Sequence, residues 1–244
     1  MNLTPSEIAQ IIELSAVKAE DDDNYLRQMV EYAKTYHCLE VIPLPSRLPF
    51  VKDLLGGYPG IMLGGAVGFP SGGNSPAIKV LEAREQVSLG CDEVDMMINV
   101  GWLLSGRYSE VLDDVRAVVE ECGMIPVKVI LECHYLTSDL ILKGCDICIA
   151  AGAKWVKTGT GWAPTGATLE NIALIKNHVG DRIGVKGAGG IRDLDTLLAM
   201  YNLGARRFGL GLNSAKQVLS RAFSSVEQIQ DVHNTGMAGI DSIY

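Results

Sequence analysis

A (β/α)8 barrel is the fold this sequence predicts, and three observations predict it. Short β-type runs alternate with helical stretches along the whole chain. Eight such runs recur about every 28 residues, close to the ~30 of a strand–helix–strand step. The 244 residues are the usual size for eight such steps closed into a TIM-type barrel. The competing architecture is an open doubly wound sheet, which places a glycine-rich nucleotide loop after its first strand. Here that strand is followed by Lys18-Ala19-Glu20-Asp21-Asp22-Asp23, an acidic run that cannot form such a cradle.

The elements follow in order. Thr4-Pro5-Ser6-Glu7 is a capping box and predicts a short helix ahead of the barrel. The expected strands are Ile12–Val17, Cys38–Pro43, Ile61–Val67, Val94–Val100, Val127–Cys133, Trp155–Thr160, Arg182–Lys186 and Arg206–Leu210. Ser75-Pro76 opens a helix that runs to Gly90, as N-cap followed by a proline suited to the first turn. Further helices start after Ser109, at Thr137-Ser138-Asp139, at Thr168 and at Asp193 or Asp195. Each ends on a glycine, Gly123, Gly152, Gly180 or Gly204, because the residue after a last helical turn adopts a left-handed conformation that glycine tolerates. No low-complexity stretch or linker interrupts the series, so one barrel domain over residues 1–244 is expected.

Composition excludes several functions. Lys and Arg number 21 against 29 Asp and Glu, a net charge of −8, which disfavours nucleic acid and anionic membranes as partners. Apolar residues are 48% of the chain, too many for general disorder, yet no run approaches the ~20 residues of a membrane span. The N-terminus has no basic start and no apolar segment of a secretory leader. Six cysteines are too sparse for a disulfide scaffold, so reduced thiols and a cytoplasmic location are expected. The four histidines are scattered, and Cys145-x-x-Cys148 lies inside a predicted helix with no second pair. No metal, redox centre or other cofactor is therefore expected.

Charged residues inside predicted strands are the informative ones, because barrel enzymes draw catalytic side chains from the C-terminal ends of several strands. Lys157 and Lys186 sit near the ends of the adjacent sixth and seventh strands, and Asp95 sits on the fourth. Glu13 and Glu40 interrupt the first and second. An ordinary lysine, with a pKa of ~10.4, is almost wholly protonated at neutral pH. A second ammonium on the neighbouring strand, ~4.8 Å away, together with burial, favours the neutral amine that attacks a carbonyl. Asp95 can hold the second lysine protonated and pass protons through water. Lys128 lies nearer its strand's start and reads as structural. Gly187–Arg192 and Phe208–Asn213 follow strands seven and eight, where backbone N–H groups commonly take a phosphate.

These residues resemble a known family, the deoxyribose-phosphate aldolases, from about Ile11 to Arg207 and at the C-terminal tyrosine. The motifs that carry the resemblance are Val67-Gly68-Phe69-Pro70, Asp92–Asp95, Val127–Glu132, Lys157–Gly161 and Gly184–Arg192. The resemblance implies a class I aldolase on a TIM barrel that cleaves 2-deoxyribose 5-phosphate to glyceraldehyde 3-phosphate and acetaldehyde. It implies Lys157 as the Schiff-base lysine, Lys186 as the lysine that depresses its pKa, Asp95 as the acid of the proton relay, and the terminal Tyr244 as a proton-transfer aid. It also implies backbone phosphate contacts at Gly161, Gly189, Gly190 and Gly209, with Thr160, Arg192 and Gly211 beside them, and a homodimer. The chain departs from the pattern in three places. Glu13 and Ser15 stand where the first strand carries a shorter acid and another hydroxyl. Glu40 adds a negative charge expected to face the substrate. Gly211 and Leu212 replace two phosphate-binding serines. The alternatives are a relative acting on a different or unphosphorylated hydroxyaldehyde, and a catalytically silent sugar-binding protein.

Overall fold

The computed structural model describes residues 3–237, with side chains through residue 224. The capping signals in the sequence act as caps in the structure. The Thr4 hydroxyl and Glu7 carboxylate close the box on α1 (Pro5–Ala9). Asp22 caps α2 (Asp23–Tyr36) by accepting from the Tyr25 N–H at 2.8 Å, so half of the acidic run begins a helix. Thr137, Thr168 and Asp193 cap α7 (Ser138–Ala151), α8 (Leu169–Val179) and α9 (Leu194–Asn202) in the same way. Ser75 differs: it precedes α4 (Pro76–Ser88) without a side-chain cap bond. Asn74 and the Gly68 N–H instead donate to Glu82 within that helix. The remaining helices are α3 (Leu48–Leu55), α5 (Val100–Leu104), α6 (Tyr108–Cys122) and α10 (Leu212–Met237).

Eight parallel strands close into a barrel in chain order: β1 (Ile12–Ala16), β2 (Glu40–Pro43), β3 (Met62–Val67), β4 (Glu93–Met97), β5 (Val127–Ile130), β6 (Trp155–Lys157), β7 (Gly184–Ala188) and β8 (Arg207–Leu210), with β8 pairing back to β1. All eight expected strands are present, but several end sooner than their apolar runs. β4 stops before Asn99, which caps α5, and β5 stops before Glu132, whose φ of 53° breaks the extended chain. β7 lies two residues later than Arg182–Lys186, because Arg182 closes the turn after α8 by donating to the Val179 and His178 carbonyls. In each case the apolar run stays buried after the backbone leaves the sheet, as Ile98, Leu131 and Cys133 show.

The hydrophobic core lies between the sheet and the helices, where Leu14, Val41, Val94, Val129, Val156 and Phe208 meet Leu26, Met29, Val115 and Ile172 at 0% exposure. Each such side chain contributes roughly 1.5–3 kcal/mol. Cys145 and Cys148 belong to this packing layer on α7, and burial pushes both thiols up. Among the described residues no helix is long and apolar enough to cross a membrane.

Candidate active site

Successive side chains of a strand point to opposite faces, so residues two apart share the barrel interior. In most barrels of this type that interior is filled by branched apolar residues. Here it carries ions. Glu13, Glu40, Glu93 and Asp95 enter from β1, β2 and β4, and Lys128, Lys157, Lys186 and Arg207 from β5 to β8. Glycines make the room: a Cβ on Gly64 would lie 2.5 Å from Glu40 Oε1, and one on Gly209 would lie 3.4 Å from Lys186 Cε.

Lys128 is the hub of the lower half. Its ammonium lies 2.7 Å from Glu40, 2.7 Å from Glu93, 3.2 Å from Asp95 and 3.5 Å from Glu13, at 0% exposure. Burial would strip its proton, but the four carboxylates outweigh burial and raise its pKa well above the usual lysine value. Burial likewise works to raise Glu13, yet Lys128 and Lys186 hold its carboxyl at about 2. Glu40 goes the other way. Burial raises it, Lys128 only partly offsets this, and the adjacent Glu13 raises it further. Its Oε1 has no hydrogen-bond partner among the described residues. Arg207 completes this layer by bonding Glu93 and lying over the Trp155 ring, 4.4 Å from its centroid.

The upper half is simpler. β6 and β7 pair so that Lys157 and Lys186 stand directly side by side. One oxygen, Asp95 Oδ2, accepts from Lys157 Nζ at 2.6 Å and from Lys186 Nζ at 2.9 Å. Lys186 also bonds Glu13. Burial lowers the Lys157 pKa, Asp95 pushes it back up, and the Lys186 charge pushes it down again, leaving it below the usual value. Lys186 has a raised pKa, because Asp95 and Glu13 together outweigh its burial. The pair is therefore differentiated: Lys157 inclines to the free amine and Lys186 remains an ammonium.

Lys157 also lies at the base of a cavity of about 420 Å³ at the C-terminal mouth of the barrel. Ser15, Thr160, Gly161, Gly189, Gly190, Arg192, Gly209 and Gly211, all expected from the sequence, form part of its wall. Gly161, Gly189 and Gly190 have φ of 80°, 86° and 96°, which a side chain would strain. Asp95 and Lys186 support Lys157 from below. Glu13 and Glu40 do not reach the cavity, which corrects their expected substrate contact. Both are fully buried beneath it and engaged with Lys186 and Lys128, the nearest compensating charges. Tyr244 lies outside the described residues.

A family model for DeoC/LacD family aldolases matches residues 10–216. The chain is 43% identical to the deoxyribose-phosphate aldolase of Klebsiella pneumoniae over 235 residues, 96% of this chain and 94% of that one. It belongs to the DeoC/LacD aldolase family. A second relative, the deoxyribose-phosphate aldolase of Sinorhizobium medicae, is 41% identical and matches 88% of this chain and 86% of its own. Among solved structures, a putative deoxyribose-phosphate aldolase from Coccidioides immitis superposes with a TM-score of 0.85 at 31% identity, covering 90% of this chain and 87% of that one. The tetrameric deoxyribose phosphate aldolase of Aeropyrum pernix superposes with a TM-score of 0.82 at 26% identity, covering 91% and 93%.

Four residues of this aldolase's site were not singled out from the sequence as functional. Glu93 sits two residues before Asp95, so strand alternation alone could have placed it on the inner face. Arg207 opens β8 and gave no such signal. Glu132 was part of a motif but had no role. Its buried carboxylate accepts from the Thr160 N–H at 3.2 Å and from the Thr160 hydroxyl, which fixes the loop that follows Lys157. Lys18, dismissed with the acidic run, lies in the cavity wall. Glu13, Glu40 and Glu93 also offer three oxygens within 4.8 Å of one another, the spacing of a cation site. In this aldolase the Lys128 ammonium occupies that position.

Proposed function

We propose that this aldolase cleaves 2-deoxy-D-ribose 5-phosphate to D-glyceraldehyde 3-phosphate and acetaldehyde, and catalyses the reverse condensation, through a Schiff base on Lys157. The observation that carries the reading is the cavity-facing amine, held below its ordinary pKa, sharing a single Asp95 oxygen with a lysine held above its own. The Lys157 amine adds to the C1 carbonyl, and loss of water leaves an iminium. Removal of the proton from the C3 hydroxyl then breaks the C2–C3 bond. The electron pair moves into the iminium as an enamine, and C3 departs as the aldehyde of glyceraldehyde 3-phosphate. Protonation at C2 and hydrolysis release acetaldehyde and restore the amine. Asp95 and Lys186 are placed to move these protons, through water where they do not reach. Gly161, Gly189, Gly190 and Gly209 would meet the phosphate with backbone donors.

A second substrate, an unphosphorylated hydroxyaldehyde, is favoured by one observation. Neither Gly211 nor Leu212, at the start of α10, carries a hydroxyl to meet a phosphate. Borohydride trapping with 2-deoxyribose 5-phosphate and, in parallel, free 2-deoxyribose separates the two. An adduct on Lys157 that forms much faster with the phosphate ester supports the main reading. Equal or faster trapping of the free sugar supports the second. No adduct with either sugar or with acetaldehyde would leave a silent sugar-binding relative. The buried, unpaired thiols fit a cytoplasmic setting. A homodimer belongs to the same reading, and sedimentation of the full chain tests it.

A further inference from the structure

We propose that Lys18 and Tyr25, both from the segment that follows β1, form the anion-holding end of the cavity and set its preference for a phosphorylated substrate. The inference rests on the aldolase reading above and adds residues to it.

Besides Lys157, the cavity wall carries Lys18 and Arg192, and among the described residues neither has a carboxylate within 4.0 Å of its charged nitrogens. Among the described residues, no acid that follows Lys18 in sequence lies within ion-pair distance of its ammonium. Asp21 accepts from the Lys18 backbone N–H at 2.8 Å, Asp22 from the Tyr25 N–H at 2.8 Å, and Asp23 pairs with Arg47 at 2.5 Å. Among the described residues Asp21 is the one carboxylate in the cavity wall, against Lys18, Arg192 and Lys157.

The ammonium is also held in place. Lys18 Nζ donates to the Gly161 carbonyl at 2.6 Å and lies 5.0 Å from the Trp162 ring centroid, while Trp162 Nε1 donates to the Val17 carbonyl at 2.9 Å. Two cross-bonds therefore fix the loop after β1 against the loop after β6. One ammonium proton goes to Gly161, leaving two for a ligand.

Tyr25 supplies the complementary donor. Its hydroxyl oxygen accepts the Leu212 N–H, and its own proton has no acceptor among the described residues. Burial raises its pKa, so the hydroxyl keeps that proton. The helix-start N–H makes a phenol that accepts from it a better donor to an anion beyond. The segment after β1 thus brings an ammonium and a polarised hydroxyl to the wall of the cavity that Lys157 also lines.

The test compares the full-length protein with Lys18→Met, Lys18→Arg and Tyr25→Phe, using 2-deoxyribose 5-phosphate, free 2-deoxyribose and acetaldehyde. Expected results are a KM for the phosphate ester raised at least tenfold in Lys18→Met and severalfold in Tyr25→Phe, with kcat little changed. Lys18→Arg should recover most of the loss. The kcat/KM for free 2-deoxyribose and the trapping of acetaldehyde on Lys157 should stay at the level of the unmodified protein. Calorimetric titration with inorganic phosphate gives a readout independent of turnover, and Lys18→Met should weaken it. An unchanged KM for the ester in both Lys18→Met and Tyr25→Phe overturns the proposal. So does an equal fall for both sugars, which would mean that the substitutions disturb the site as a whole. Failure of the aldolase reading would show differently, as no adduct in the unmodified protein while phosphate still binds in a Lys18-dependent way.

Discussion

Replacing Lys128 by Met removes the charge at the centre of the barrel interior while keeping an unbranched chain of similar volume. The ammonium lies within 3.5 Å of four carboxylates, and among the described residues no other cation lies within ion-pair distance of Glu40. Breaking a buried pair by deleting one partner costs about 3–5 kcal/mol, a large share of the ~5–15 kcal/mol that holds a domain folded. For a chain of this size a loss of ~4 kcal/mol lowers Tm by roughly 8–16 °C. The loss carries a pH signature. Glu13 is held at about 2 against an ordinary 4.5, so it contributes about 3 kcal/mol that is fully present above pH 4.5 and lost as pH falls toward 2. Lys128 is the larger of the two charges holding it down. The variant should therefore be furthest below the unmodified protein above pH 4.5, and the difference should narrow as pH approaches 2. Urea unfolding followed by circular dichroism across that range measures both. A deficit under ~1 kcal/mol at pH 7, or one of equal size at pH 3 and pH 7, would refute the reasoning.

Three further outcomes are expected. The kcat/KM of the unmodified enzyme should rise with pH through a value below the ordinary lysine pKa; in Lys186→Met that limb should move to higher pH, because the charge lowering Lys157 has gone, and a pH–rate profile checks it. Glu40→Gln should leave the limb where it is, since an amide is as neutral as a protonated acid; a shift to lower pH would show that Glu40 is ionised in the enzyme. Gly184→Ala would put a Cβ 2.3 Å from the Trp155 ring, so Tm measured by calorimetry should fall by several degrees, matching an overpacking cost of about 1–3 kcal/mol.

The strand count, most helix ends and the charged residues Asp95, Lys157 and Lys186 were legible in the sequence, because each rests on local pattern or spacing. Thr137 and Gly152 bracket α7 whatever the sheet does. Lys157 and Lys186 stood out as polar residues in apolar strands, and the register then set them side by side. What was not legible depends on closure of the barrel. Closure sets Glu13 beside Gly209, whose missing side chain gives Lys186 room to reach Glu13. Glu40 likewise finds Lys128, 88 residues away, only across the interior. The substrate contact expected of Glu13 and Glu40 failed for this reason: depth in a barrel follows from stagger between strands, which no single strand encodes. Lys18 was missed because it opens an acidic run that reads as unfit to cradle a phosphate, whereas the fold turns its ammonium to the Gly161 carbonyl in the cavity wall.

The split between the ionic floor and the cavity wall bears on how this enzyme can diverge. The floor is assembled from inward-facing strand residues that constrain one another, so a change at Glu93 or Arg207 is felt at the amine. Part of the wall at the mouth comes from β1 and from the start of α10, where Ser15, Gly211, Asn213 and Gln217 carry no charge. On the proposed mechanism, substitutions there can retune which aldehyde is accepted while the charges around Lys157 stay in place. A library meant to widen substrate range should vary that rim and leave the eight ionised or ionisable floor residues intact.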